Sequence, residues 1–152
     1  MKNTILVMCI IAAFAVFNSQ VDAATRTREI NFDEMVPCVG DTVHLHGPFH
    51  ITLTFSGKSL TNVQASVHGI KGHGENTAHK YVADQGNMMI SSPYTVRNGV
   101  TRSNITVTFE IIGRVEGNPG NVIRFWARQI VRLDFGKNLN LDFESLKVCV
   151  TP

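Results

Sequence analysis

The stretch that decides the fold runs from Val43 to Phe55 and reads VHLHGPFHITLTF. Apolar side chains recur at every second position other than Gly47, and threonine and histidine fill most of the positions between them. Because successive side chains of a β-strand point to opposite faces, this spacing predicts a long strand with one buried and one solvated face. The Gly47-Pro48 pair leaves the alternation in phase, but proline cannot donate to a ladder, so we expect a bend or an edge position there.

The same alternation appears later in the chain in three segments, each of which predicts a further strand. A last strand begins at Leu139, and its phase shifts by one after Phe143, which predicts a β-bulge near Glu144 and Ser145. Glycine, asparagine and proline separate the runs, and no helical stripe appears after residue 23. The three segments are residues 62–68, 104–111 and 123–135.

The first 23 residues have the pattern of a secretory signal peptide. Lys2 supplies a positive start, an uncharged apolar run covers residues 5–17, and Val21-Asp22-Ala23 has small residues where a signal peptidase cuts. As a helix this run spans about 20 Å, short of a bilayer core of about 30 Å, so a membrane anchor is the weaker alternative. We expect cleavage after Ala23 and one secreted β-domain over residues 24–152.

Charge and composition narrow the class of partner. The 152 residues carry 14 Lys and Arg against 12 Asp and Glu, spread along the chain, and 43% are hydrophobic. This balance describes one small globular domain and lacks the clustered positive charge of a nucleic-acid-binding protein. No second apolar stretch reaches membrane length, so we expect no stable membrane insertion; the oligomeric state is left open.

Two cysteines remain after the predicted cleavage, Cys38 and Cys149. An even count in an exported chain predicts a disulfide, with two free buried thiols as the alternative. A disulfide holds two Cα atoms about 4.4–6.8 Å apart. Since Cys38 precedes the first predicted strand and Cys149 lies near the end of the last, the terminal strands must lie close together. The sequence therefore predicts a single antiparallel β-sandwich or flattened β-barrel of about seven to nine strands.

The segment PCVGDTVHLHGPFH, residues 37–50, resembles the opening of a group of secreted, mostly uncharacterised bacterial proteins. The resemblance extends from Pro37 to Cys149 and implies export and an all-β fold, and it carries over no catalytic residue. This chain differs from the group in its more basic penultimate strand. The further shared features, in similar order, are GIKGHG at residues 69–74, Tyr81, Ile112-Gly113 and the C-terminal cysteine.

Three histidines form the first candidate site. His44, His46 and His50 have the same parity on the predicted strand, and neutral imidazoles on one face can bind zinc or copper. In a straight strand His50 lies about 13 Å from His46, and exposed strand positions tolerate histidine, so we expect a solvated polar face and no bound metal. A second group lies in a glycine-rich loop and matches no standard metal or acid-base spacing. That group is His73, Glu75 and His79.

A basic face is the predicted binding surface. Arg124, Arg128 and Arg132 lie at four-residue intervals on the predicted penultimate strand, with Trp126 among them. Three guanidinium groups and an indole on one face can grip a sulfated glycan or an acidic protein surface. The alternative is an outer sheet face that arginine keeps soluble. Asn104 begins an N-glycosylation triplet on the wet face of its strand, which carries a glycan only if the source organism is a eukaryote.

The sequence lacks the common signatures of enzymes. It has no Gly-x-Ser-x-Gly elbow, no phosphate-binding glycine loop and, if both cysteines pair, no free catalytic thiol. We therefore predict a secreted, non-catalytic binding protein that needs no cofactor and whose partner is an extracellular surface, glycan or protein. The alternatives are a β-barrel carrier, isomerase or cyclase of a small apolar ligand, which requires an empty interior, and a secreted toxin or venom component.

Overall fold

The computed structural model describes residues 21–152, which form ten antiparallel β-strands. These residues contain no helix, so the all-β prediction is confirmed. The strands are β1 (Val21–Val36), β2 (Asp41–Ser56), β3 (Ser59–Ser66), β4 (Lys71–Gly74), β5 (Lys80–Ser91), β6 (Tyr94–Arg97), β7 (Val100–Val115), β8 (Asn118–Phe135), β9 (Leu139–Phe143) and β10 (Lys147–Val148).

Seven of the ten strands form a continuous path that nearly closes into a barrel, in the order β1-β2-β4-β5-β7-β8-β10. The other three strands extend this path, because β3 pairs with β2, β6 with β7 and β9 with β8. Each of the long strands β2, β7 and β8 therefore pairs with two shorter strands, one after the other. The path agrees with the predicted barrel, and the short strands bring the total to ten, one more than the largest number predicted.

Strand β2 buries the face that its alternation predicts. Its six apolar side chains at odd positions are at most 2% exposed. Gly47 and Pro48 lie where the neighbour of β2 changes from β4, opposite residues 43–46, to β3, opposite residues 50–56. On this edge of β2, Pro48 thus falls in the gap between two ladders, where a sheet tolerates proline, while the other edge pairs with a further strand, β1. A Cβ at Gly47 would lie 2.3 Å from the Gly69 carbonyl oxygen. The buried set is Val43, Leu45, Phe49, Ile51, Leu53 and Phe55.

The second long hairpin consists of β7 and β8, which pair from Thr101 opposite Phe135 to Val115 opposite Asn118. The apolar positions that alternate in the sequence point inward, as predicted. They meet the buried face of β2 in one core cluster. The fully buried members on this hairpin are Ile105, Val107, Phe109, Ile111, Ala127 and Val131.

The predicted β-bulge lies between β9 and β10. The ladder on β8 stops at Phe143 opposite Val131 and resumes at Lys147 opposite Arg128. Residues 144–146 thus face only residues 129 and 130, which is the one-residue excess of a bulge. This segment includes both predicted positions.

Strand β1 is not predicted by the sequence, although it pairs with β2 along its whole length. Its buried apolar side chains are Ile30, Phe32 and Val36, and exposed Glu34 interrupts their alternation. Cys38 therefore follows the first strand, which corrects the expectation that it precedes it. The turn that carries Cys38 joins β1 to β2.

The predicted signal peptide lies mainly in residues 1–20, which are outside the described residues. The predicted cleavage point after Ala23 falls within β1. A chain that starts at Ala24 keeps the pairing of β1 with β2 from Ala24 opposite Leu53 to Val36 opposite Asp41. In the part of the chain that the structure describes, no helix is long and apolar enough to cross a membrane.

The nearly closed barrel has a seam between β1 and the segment that contains β9 and β10. Cys38 and Cys149 form the predicted disulfide across it, with their Cα atoms 5.7 Å apart. Farther along the seam, Arg28 Nη1 donates to the carbonyl oxygens of Phe143 and Glu144, both at 2.8 Å. Within residues 21–152 no backbone ladder joins these strands, so side-chain contacts, among them the disulfide and Arg28, connect the two sides of the seam.

Large side chains fill the interior of the barrel. Phe49, Phe55, Phe109 and Tyr81 are each at most 1% exposed. The Phe49 ring also contacts Phe143 edge to face, with centroids 6.2 Å apart. Side chains that interdigitate in this way form a packed core, whereas a carrier needs an empty one.

Candidate binding surfaces

The three predicted arginines and Trp126 share the outer face of β8, as their spacing predicts. We call Arg124, Trp126, Arg128 and Arg132 the arginine face. Arg124 Nη1 donates to both carboxylate oxygens of Glu110 on β7 at 3.2 Å. The Glu110 side chain is only 8% exposed, and a nearly buried carboxylate needs a partner of opposite charge. Arg124 thus stabilises the fold by compensating the charge of Glu110.

The other two arginines also have partners within the protein. Arg128 donates from Nε to the Thr108 hydroxyl at 3.3 Å and from Nη2 to the Thr151 carbonyl at 2.7 Å. Arg132 forms an ion pair with Glu144. The structure therefore brings the predicted residues together, and neighbouring groups compensate part of their charge.

Asn104, the predicted glycosylation site, is exposed on β7 directly opposite Arg132. Together with Asp134 and Asp142, these two residues line a surface cleft of about 300 Å³. A glycan attached to Asn104 would therefore lie next to Arg132 at the edge of the arginine face.

The three candidate histidines share the partly solvated face of β2 but have separate surroundings. His50 Nδ1 hydrogen-bonds to the Thr27 hydroxyl at 2.8 Å. His44 Nδ1 lies 2.8 Å from Asp33 Oδ1, and His46 is exposed. Among residues 21–152, no group of three or more His, Cys, Asp or Glu side chains is arranged to hold a metal ion.

The second histidine group is divided between the outside and the inside of the barrel. His73 is exposed and stacks on His44, with ring centroids 4.8 Å apart. The stack forms because β1, β2 and β4 place Asp33, His44 and His73 in one row. His79 is 3% exposed and lies inside, whereas Glu75 is exposed. The predicted trio therefore does not form one site.

A buried carboxylate that the sequence does not reveal anchors the loop between β4 and β5. Asp41 Oδ1 accepts hydrogen bonds from the Asn76 backbone N–H and side-chain amide, both at 3.0 Å. Its Oδ2 accepts from the Thr77 hydroxyl at 2.5 Å and from the Thr77 N–H at 3.2 Å. Led by the Thr77 hydroxyl, these hydrogen bonds lower the pKa of Asp41 to about 2, against the opposing effect of burial.

Two buried polar atoms belong to neighbouring rings at this end of the barrel, His79 and Tyr81, whose centroids are 5.9 Å apart. His79 Nδ1 and the Tyr81 hydroxyl have no hydrogen-bond partner among the described residues, although His79 Nε2 lies 3.3 Å from Asn121 Oδ1. Burial raises the pKa of Tyr81 against an opposing effect of the Thr77 side chain, and the negative charge of Asp41 adds to the rise. Since His79 and Tyr81 are 3% and 0% exposed, we assign this group to the structure of the barrel end.

A cleft that the sequence does not predict opens between β3 and β6. Among residues 21–152, β3 pairs only with β2 and β6 pairs only with β7, so two strand edges face each other without a ladder. We call this space, of about 230 Å³, the β3–β6 cleft. Its lining residues are all uncharged: Leu60, Thr61, Asn62, Val63, Ile90, Ser92 and Tyr94.

Gln85 closes one end of the β3–β6 cleft. Its side-chain amide accepts from the Val67 N–H at 2.8 Å and donates to the Ala65 carbonyl oxygen at 3.3 Å. A peptide group of a neighbouring strand would make the same pair of hydrogen bonds. Gln85 can reach this edge because it lies in the irregular part of β5, between Asp84 and Met88. The only signal in the sequence is the Gly86-Asn87 breaker next to it.

Comparisons of the chain with protein-family models, with curated proteins and with solved structures found no match. The resemblance to secreted bacterial β-proteins stays a prediction that rests on the motifs quoted above. Functional inference for this chain therefore rests on the surfaces described above.

Proposed function

We propose that this chain is an exported protein that acts by binding a protein partner on the outside of its barrel, at the β3–β6 cleft. The signal-like pattern of residues 1–23 supports export. The Cys38–Cys149 disulfide is compatible with it, because disulfides persist in oxidising compartments.

The observation that carries the proposal is the group of exposed apolar side chains beside the β3–β6 cleft. Ile90, Tyr94 and Val96 are 36%, 48% and 50% exposed. Exposed apolar side chains that are grouped together and surrounded by polar residues mark sites of protein association. Tyrosine is enriched in such interfaces. An uncharged cleft bordered by exposed apolar side chains suits a protein partner better than a sulfated glycan, which is negatively charged.

The arginine face supports a glycan partner less well. A sulfated glycan needs guanidinium groups that are free to form paired hydrogen bonds with sulfate. Here Arg124 forms an ion pair with Glu110, Arg132 forms an ion pair with Glu144, and Arg128 donates a hydrogen bond to a backbone carbonyl. The filled interior likewise gives no support to a carrier of small apolar ligands.

Site-specific photocrosslinking tests the proposal. We would replace Tyr94 by p-benzoylphenylalanine and, as a matched control, Val82, which is 49% exposed but lies on the other half of β5. A third variant would carry the probe at Trp126. Each variant is irradiated with the extracellular fraction of the producing organism, and protein adducts are separated by mass.

We expect a discrete adduct from position 94 and none from position 82. An adduct only from position 126 would transfer the binding function to the arginine face. Equal labelling from positions 82 and 94, or no adduct from any variant, would contradict the proposed function.

A further inference from the structure

We infer that the partner contributes an extended, otherwise unpaired peptide segment, which adds as a strand between β3 and β6. This inference rests on the proposed function and specifies how the β3–β6 cleft binds. It follows from the backbone of the two strand edges, from the uncharged lining of the cleft, and from the charges at one of its ends.

The edge of β3 presents backbone groups that need a strand as partner. The Ala65 carbonyl and the Val67 N–H point to this edge, since Gln85 reaches both. Alternate residues of a strand direct their backbone groups to the same edge, so Val63 directs its own N–H and C=O into the cleft. An unpaired strand edge of this kind is a template for a further strand.

The opposite wall excludes a whole folded sheet as the occupant. On that side, residues 88–91 of β5 and all of β6 pair with β7, and no other strand in the described part of the chain pairs with their second edge. The occupant thus meets an unpaired edge on both sides. The edge strand of a second folded domain already has one paired side and cannot satisfy both, whereas a tail or a loop in extended conformation can.

The side chains around the cleft specify the segment further. Its lining is uncharged, with Leu60 buried at the floor and Tyr94 exposed at the rim. At one end, the Lys58 ammonium lies beside Gly99 in the β6–β7 turn, and Arg97 is exposed at the end of β6. We therefore expect small apolar side chains at alternate positions of the segment and an acidic residue at the end that meets Lys58 and Arg97.

The probe for the experiment is the synthetic peptide acetyl-EVTVTVT-amide, labelled with a fluorophore for anisotropy titration of the full chain. The matched control peptide has the same sequence with N-methyl groups on its valines. It keeps the side chains but cannot donate hydrogen bonds from those positions. We expect saturable binding of the first peptide and at least about tenfold weaker binding of the second, since edge pairing depends on backbone hydrogen bonds.

Three protein variants locate the site. Tyr94→Ser removes the aromatic rim, and we expect about tenfold weaker binding, as for the loss of an aromatic anchor. Val63→Pro removes an N–H that faces the cleft, in an edge strand that tolerates proline. Val82→Ser removes an equally exposed apolar side chain elsewhere and should change binding less than about twofold. Because Tyr94 and Val82 are exposed, both serine variants should fold even if Val63→Pro does not.

Hydrogen exchange measured on the wild-type chain gives an independent readout. Peptide binding should slow exchange at the Val63 N–H and leave β1 unchanged. Equal affinity for the two peptides, equal loss in Tyr94→Ser and Val82→Ser, or self-association of the chain through this edge would overturn strand addition. If a protein still crosslinks at position 94 in that case, the proposed function stands and only this mode of binding fails.

Discussion

Replacing both cysteines of the disulfide by serine should lower the free energy of unfolding by a predictable amount. Cys38 and Cys149 are 111 residues apart in the sequence. In the chain-entropy model, a cross-link over that separation restricts the unfolded chain by about 4.8 kcal/mol at 25 °C. Since domains of this size unfold with about 5–15 kcal/mol, the Cys38→Ser, Cys149→Ser variant should be marginal.

The assay is equilibrium urea unfolding of wild type and double variant, followed by tryptophan fluorescence and circular dichroism. We expect a large fall in the urea midpoint and faster hydrogen exchange in β1 and β10 than in β7 and β8, because the seam loses its covalent link while the β7–β8 ladder is unchanged. A change below about 1 kcal/mol would show that the unfolded chain is not restricted as the model assumes. Uniformly faster exchange would contradict a seam held mainly by the disulfide.

Two further substitutions test the hydrogen bonds of Asp41 at the barrel end and the close approach of Gly47 to Gly69. The hydrogen bonds that hold the pKa of Asp41 at about 2 stabilise the fold fully above the unfolded pKa of about 3.9, and this contribution is lost as the pH falls through 2. Thermal unfolding should therefore show a loss of stability between pH 4 and 2 in wild type that is smaller in Asp41→Asn; parallel profiles would refute the role of Asp41. Gly47→Ala, whose Cβ would meet the Gly69 carbonyl oxygen at a φ of +139°, should destabilise by more than about 1 kcal/mol in urea. The control Gly120→Ala, with its nearest neighbour 3.8 Å away, should stay within about 0.5 kcal/mol, and equal effects would contradict the close approach.

The strands that alternate clearly were predictable, because each has one buried and one solvated face. β2, β7 and β8 are of this kind, and the phase shift after Phe143 located the bulge. β4 could not be found in this way, since it reads Lys-Gly-His-Gly and contributes no apolar side chain. Gly72 is needed there because a Cβ would lie 1.7 Å from the His44 carbonyl oxygen. The same glycines that interrupt the pattern in the sequence therefore allow close packing in the barrel.

The candidate sites were likewise predictable only where they depend on a single strand. The spacing of Arg124, Arg128 and Arg132 correctly placed them on one face, because that property depends on a single strand. Their partners, such as Glu110, lie on other strands, and only the register reveals them. The β3–β6 cleft is even harder to predict from the sequence, because it exists only where two segments do not pair in a ladder. Asp41 gave no signal because its partners lie 35 and 36 residues away in the chain.

The seam also has a consequence for the order in which the molecule assembles. Within residues 21–152 every ladder joins strands that are near neighbours in the sequence, and the most widely separated pair, Val21 and Ser56, is only 35 residues apart. Hairpins can therefore form early, at the low entropic cost of short loops. Only the side-chain contacts of the seam connect the two ends of the chain. The polypeptide can thus acquire most of its sheet while its thiols are still reduced, and oxidation completes the ring as a last and chemically separate step.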